Sequence, residues 1–283
     1  MLKNVSKLAG LFLLLFLSFI YTDKVFGVAR NNDPLMKEVL DYKEKNDIKP
    51  LNAVINGKEI TLGYAGISID AKRSYKSMKK DGGFDKDKIM YENSLPDTTI
   101  SKTYDYYITG GNYNQKEIAI IFKVKDDTNV DSILKHVGKS RVKVTFFVEG
   151  TWLEENVETA FSMVNLGCDV YNLGYNGRYE KKNIGVTNNL ISSITMKDAN
   201  YCLNENKNED YLKVCNRKQL HTIYPKIINP SIFELKKQLK SGSIISYDLN
   251  TFETNKFDLV IRSITSRGYT INSLSKVASE ERN

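Results

Sequence analysis

The chain has 283 residues, 41% of them hydrophobic and 27% charged, which allows one large domain or two smaller ones with a sizeable core. A mean hydropathy of -0.39 with 17 Gly and 5 Pro describes a soluble globular chain and excludes collagen-like or Pro/Gly low-complexity architecture. The 41 Lys and Arg against 34 Asp and Glu give a net charge of +7, which suits contact with anionic polymers, but no Lys/Arg block occurs, so nucleic acid is not an expected partner.

Residues 1–29 have the form of a secretory signal peptide, with Lys3 and Lys7 before an apolar run from Leu8 to Tyr21 and Gly27-Val28-Ala29 as a small-x-small cleavage site. That run is shorter than the roughly 20 apolar residues of a membrane span. Cleavage is therefore expected, with an uncleaved N-terminal anchor as the alternative and the only route to a membrane. Either outcome predicts an extracellular or envelope-associated protein. Residues 30–49 are helix-compatible, with Leu35, Val39 and Leu40 apolar and Pro50 as the stop, and are expected to form a lightly tethered arm. Residues 51–66 carry the pattern of a β-hairpin around Asn56-Gly57. Asp70 to Gly82 predicts a basic amphipathic helix, and a Tyr-rich stretch follows up to Gly110-Gly111. That doublet is the expected boundary between an N-terminal extension, 30–112, and a domain spanning 113–283.

From Glu117 strands alternate with helices. Strands are predicted at 118–124, 142–148, 169–172, 243–247 and 270–271, and helices at 130–137, 153–166, 188–196, 231–239 and 256–266. Repeated β-helix-β units imply a parallel sheet or a (β/α) barrel. An exported location makes Cys202 and Cys215 a candidate disulfide across the polar loop 204–210, two unpaired thiols being the alternative; Cys168 is left over and expected to be buried.

The run Ile120-Ile121-Phe122-Lys123-Val124-Lys125, then Ile133-Leu134, Thr145-Phe146-Phe147-Val148 with Gly150 and Trp152, and Gly167-Cys168-Asp169-Val170-Tyr171-Asn172 resembles the polysaccharide deacetylase (NodB-homology) family. Gly242-Ser243-Ile244-Ile245 and Gly268-Tyr269 are similar to its final strand-helix-strand. The resemblance implies an α/β fold, a deformed (β/α) barrel of polysaccharide-deacetylase type, here with an N-terminal β-hairpin/helix extension. It also implies deacetylation of N-acetylhexosamine polymers by a divalent metal on one Asp and a His pair, with a neighbouring Asp as general base.

Position by position the same resemblance removes that chemistry. Where the family has Asp-Asp-Gly after Phe122, this chain has Lys123, Val124 and Lys125; where it has His-x-x-x-His, this chain has Leu173 and Gly177. The family's late His falls on Asp248 or Tyr247. Leu, Gly and Val have no lone pair, and a lysine ammonium repels a dication. The chain has only His136 and His221, which form no His-x-x-x-His pair. No metal or other cofactor is expected.

A Lys123–Asp248 ion pair filling the vacated position is one expectation, and His221 is expected to be a structural loop residue. Trp152, Tyr171, Asn172, Tyr175 and Asp126 are candidate glycan-binding residues, because rings stack on sugar faces while amides and carboxylates take hydroxyls. The competing expectation places Trp152 and Tyr171 in packing. The functional expectation is an exported, inactive deacetylase-like protein that binds cell-wall glycan or an envelope protein. A divergent active deacetylase using Asp126 and Asp248 is one alternative. The other is a protein–protein interaction module acting through the Tyr-rich region.

Overall fold

The computed structural model describes residues 13, 14, 16, 18, 32–125 and 128–281. Nearly all of the expected signal peptide, 1–29, lies outside them, as do Asp126 and Asp127. No helix among the described residues is long and apolar enough to cross a membrane.

In chain order the principal elements are α1 (Pro34–Asn46), β1 (Val54–Asn56), β2 (Glu59–Thr61), β3 (Gly66–Ile69), α2 (Ala71–Met78), β4 (Tyr91–Ser94), β5 (Tyr107–Gly110) and β6 (Glu117–Val124). Then follow α3 (Asp131–Ser140), β7 (Thr145–Val148), α4 (Gly150–Glu155), α5 (Val157–Asn165), β8 (Asp169–Asn172), α6 (Lys181–Thr195) and β9 (Tyr201–Leu203). The chain ends with α7 (Glu209–Arg217), β10 (His221–Ile223), β11 (Ile227–Ile228), α8 (Ile232–Gln238), β12 (Ile244–Asp248), α9 (Phe257–Thr265), β13 (Thr270–Asn272) and α10 (Leu274–Val277). They fall into two compact units, Met1–Lys49 with Gly66–Ser94, and Pro50–Ala65 with Leu95–Asn283.

In the smaller unit α1 is no loose arm. Asp33 caps it by accepting from Leu35 N, at 3.0 Å, with Pro34 in the first turn. Its Leu35 and Val39 lie one turn apart on one face and are buried with Ile69, Met78 and Ile89 in a core of their own. Asp70 caps α2 through Arg73 N, at 2.9 Å, and β3 pairs antiparallel with β4.

The larger unit is a curled half-barrel of 11 strands, in the order β1-β2-β5-β10-β9-β8-β7-β6-β12-β11, with β13 also on β6. The expected hairpin is β1 and β2, antiparallel around Gly57 at φ 59°. From β2 through β12 every pairing along the path is parallel. The continuous apolar run of β6 follows from that burial: a parallel strand covered on both faces has no wet side to mark by alternation. Gly110-Gly111 lies inside this unit, between β5 and β6, and a Cβ at Gly111 would stand 1.9 Å from the Val277 carbonyl oxygen.

The elements that escaped the sequence reading include β9, α7 and β10, along with the short β3, β4, β5, β11 and α10. The segment between Cys202 and Cys215, read as a polar loop, holds most of α7, and the two cysteines are joined by a disulfide. The single helix expected over 153–166 is two, α4 and α5, broken at Asn156.

Period-2 alternation and register place one row of residues on a single face. Asp248 of β12 stands opposite Lys123 of β6, Lys123 opposite Phe147 of β7, Phe147 opposite Tyr171 of β8, and His221 of β10 opposite Tyr201 of β9. The rings form a continuous ladder: Phe147 to Tyr171 is 5.7 Å, Tyr171 to Tyr201 4.9 Å, Tyr201 to His221 5.7 Å, and His221 stacks on Tyr104 at 4.3 Å. His221 therefore sits on a strand rather than in the expected loop. The Thr103 hydroxyl donates to Ile100 O at 2.7 Å, which leaves it to accept from His221 Nδ1 at 3.3 Å.

Burial lowers the His221 pKa from 6.5 to about 4. The folded pKa lies below the unfolded one, so between pH 6.5 and 4 the unfolded chain binds the extra proton and stability falls as the pH falls. His221 is expected to contribute about 3 kcal/mol of this loss. Urea unfolding across that window should show a smaller pH dependence for His221→Gln than for the parent chain.

Candidate functional site

The C-terminal ends of the parallel strands open into a cleft of about 530 Å³, within the size range of small-ligand sites. Its floor is charged. Lys123 Nζ lies 2.6 Å from Glu205 Oε2 and 3.5 Å from Asp248 Oδ2, while Lys125 Nζ takes the same Asp248 oxygen at 2.8 Å. The expected Lys123–Asp248 pair is present, but Glu205, from the loop after β9, is the nearer partner.

The side chains of Lys123, Glu205 and Asp248 are 11%, 15% and 14% exposed, so two ammoniums and two carboxylates neutralise one another largely out of water. Burial alone would raise the Asp248 pKa. The hydrogen bonds from Lys125 and the Asn250 backbone N–H, with the charges of Lys123 and Lys125, outweigh it and hold the carboxyl below the ordinary carboxylate range. Lys125, hydrogen-bonded to Asp248, is held above its ordinary value despite partial burial.

The remaining substituted positions complete the picture. Val124 is fully buried and Leu173 is a buried wall of the cleft. Gly177 occupies a tight turn in which Tyr175 N donates to Arg178 O and Arg178 N to Tyr175 O, both at 3.0 Å. Asn176 at φ 49° and Gly177 at φ 65° give that turn its left-handed centre. Tyr247 faces away from Lys123, stacked on Phe122 at 6.1 Å. A divalent metal does not fit this set: an ammonium holds both carboxylates, and Val124, Leu173 and Gly177 offer no ligand atom. Among the described residues no cluster of His, Cys, Asp or Glu could hold an ion.

The structure does not bring the sequence-derived glycan candidates together in the cleft. Trp152 is buried and its Nε1 donates to Thr128 O at 3.0 Å. Tyr171 belongs to the aromatic ladder, and burial raises its phenol well above the ordinary range. Asn172 is fully buried and fastens β8 to α6, donating to Ile184 O at 2.8 Å and to Asn188 Oδ1 while accepting from Gly174 N at 2.7 Å. Tyr175 donates to Glu154 Oε2 at 2.9 Å on the outer side of its turn. Asp126 lies outside the described residues.

Sequence reasoning missed the residues that do line the cleft: Arg178, Tyr179, Asn204, Glu205, Asn208 and Tyr211. Tyr179 and Tyr211 form an aromatic wall with ring centroids 4.7 Å apart. Glu205 Oε1 and Tyr211 Oη are buried without a hydrogen-bond partner among the described residues. Both atoms lie beneath the cleft surface rather than on it. The signal available in sequence was the run of Asn and Glu over 204–209, which reads equally well as a solvated loop.

These residues rest on a recognisable scaffold. The family described as polysaccharide deacetylase matches residues 110–221. The uncharacterized protein YlxY of Bacillus subtilis (strain 168) is 30% identical over 151 residues, 53% of this chain and 47% of YlxY, so the match spans about half of that relative. A wild-type CE4 family pseudoenzyme from Bacillus anthracis matches with a TM-score of 0.66 at 22% identity, over 89% of this chain and 97% of its own. A mutant of that pseudoenzyme with restored enzymatic activity matches with a TM-score of 0.68 at 23% identity, over 89% of this chain and 100% of its own. The family 4 carbohydrate esterase PdaA of Bacillus subtilis matches with a TM-score of 0.55 at 20% identity, over 62% of this chain and 86% of its own. Residues 110–221 thus resemble a polysaccharide deacetylase domain, and the larger unit shares the half-barrel fold of solved CE4 enzymes and pseudoenzymes.

Truncating one member of a buried ion network leaves the others uncompensated. Lys123→Met is expected to cost about 3 kcal/mol in urea unfolding, and the double variant Lys123→Met/Glu205→Gln to recover part of that loss.

Proposed function

We propose that this chain is an exported, catalytically silent deacetylase-like protein of the cell envelope whose barrel mouth binds glycan without hydrolysing it. The observation that carries the reading is the Lys123 ammonium held between Glu205 and Asp248 at the floor of an open cleft. A metal-assisted hydrolase needs ligand lone pairs, an open water position and a base there. A charged ammonium supplies none of the three. The cleft nevertheless keeps an aromatic wall and asparagine amides, a set suited to sugar rings and hydroxyls. The family match supports the polysaccharide class of ligand. An envelope location rests on the signal-peptide pattern of residues 1–29.

The purified protein is expected to hold no stoichiometric zinc by mass spectrometry and to release no acetate from N-acetylglucosamine oligomers, with or without added zinc or cobalt. Metal at one equivalent together with acetate release would replace this reading with an active deacetylase. Titration with the same oligomers should show binding that Tyr179→Ala weakens by about tenfold, consistent with the loss of one aromatic platform. Undiminished binding in that variant would move the glycan site elsewhere.

A further inference from the structure

A second concavity, of about 760 Å³, lies in the larger unit where the sheet fails to close. Thr61 of β2 with Thr109 and Gly110 of β5 forms one side; Ile227 of β11 and Ile244 of β12 form the other. Lys226, Lys237 and Lys240 enter it from the segment between β10 and β11, from α8, and from the turn after α8. No carboxylate is among its described lining residues. Glu59, beside it, is already shared between Lys207 and Lys226, the latter at 2.6 Å. Lys237 lies over the Phe233 ring at 4.2 Å, and among the described residues neither Lys237 nor Lys240 has an ion-pair partner. The local excess is therefore cationic, gathered from separate elements rather than spread along one exposed helix face.

Lys240 is carried on a fixed support. Ser243 N donates to Lys240 O at 3.1 Å and Lys240 N to Ser243 Oγ at 2.9 Å, closing a turn with Gly242 at φ 74°. Gly111 N donates to Gly242 O at 2.9 Å, tying that turn to the β5–β6 connection. Hydroxyls of Ser241 and Ser243 stand among the lysines, while Thr109 and Tyr113 donate theirs to Ile60 O and Asn52 O, both at 3.2 Å. The set has no arginine fork, which would favour a planar carboxylate. Converging lysine point charges with hydroxyl donors suit a tetrahedral phosphoryl group, and the groove is far larger than one phosphate.

We propose that this seam groove is a binding site for phosphoryl groups borne in series on an anionic polymer. It is separate from the mouth cleft and shares no lining residue with it. The test is calorimetric titration of the whole protein with inorganic polyphosphate of about ten units and with orthophosphate, at ~0.15 M salt, where long-range attraction is screened.

Polyphosphate is expected to bind, and Lys237→Gln/Lys240→Gln to weaken it by about tenfold or more, while Lys72→Gln/Lys76→Gln, which removes equal charge from α2, changes it less than about twofold. Binding of polyphosphate with little affinity for orthophosphate would support the serial ligand. Orthophosphate binding as tightly would overturn the polymer. Equal losses in the two double variants would reduce the effect to net charge and overturn the site, as would the absence of polyphosphate binding.

Discussion

The larger unit depends on how the Lys123 charge is accommodated at the end of a strand that is apolar from Ile118 to Phe122. An ammonium taken out of water requires partners in good geometry. Register supplies the first, since β12 pairs with β6 so that Asp248 stands opposite Lys123. The loop after β9 supplies the second, Glu205 at 2.6 Å, and Lys125 balances the remaining charge. This places strong geometric conditions on three segments distant in sequence. It also keeps the mouth polar, since Lys125, 40% exposed, carries the otherwise buried network to the surface.

Beside that network, along the same row, the face of the sheet is aromatic. Phe147, Tyr171, Tyr201 and His221 fill the concave side in a ladder, and His221 stays neutral because burial makes its protonated form costly. The two parts of the row divide the work. The ladder supplies buried apolar area, while the charged groups at its other end line the cleft.

Much of the fold was legible because its strongest signals are local. The β6 run, the Asn56-Gly57 hairpin and the helical spacing of Val130, Ile133, Leu134 and Val137 each report a single element through period or turn chemistry. The α1 helix was visible as well, but its partner core was not, since Ile69, Met78 and Ile89 lie beyond the intervening hairpin. β9 and β10 were missed because three-residue strands are too short to show alternation. The site divided similarly. Strand-borne positions such as Lys123 and Asp248 could be placed by resemblance, whereas Glu205, Tyr179 and Tyr211 reach the cleft from loops and a helix whose approach no local pattern records. Trp152, Tyr171 and Asn172 have the composition of a sugar site, but packing and internal hydrogen bonds use their functional atoms.

The turn at Tyr175–Arg178 places a different constraint on its residues than the strands do. Lys123 and Val124 stand on a regular strand, where another residue type could be accommodated without altering the backbone path. Gly177 differs, because its φ of 65° belongs to a conformation that side chains of L-residues rarely adopt. A Cβ at that point would meet no neighbour, and its cost would be the roughly 1–2 kcal/mol of left-handed backbone strain. Glycine is thus favoured here by backbone conformation and not by lack of room, whereas the strand backbone at Lys123 and Val124 is one that any residue adopts.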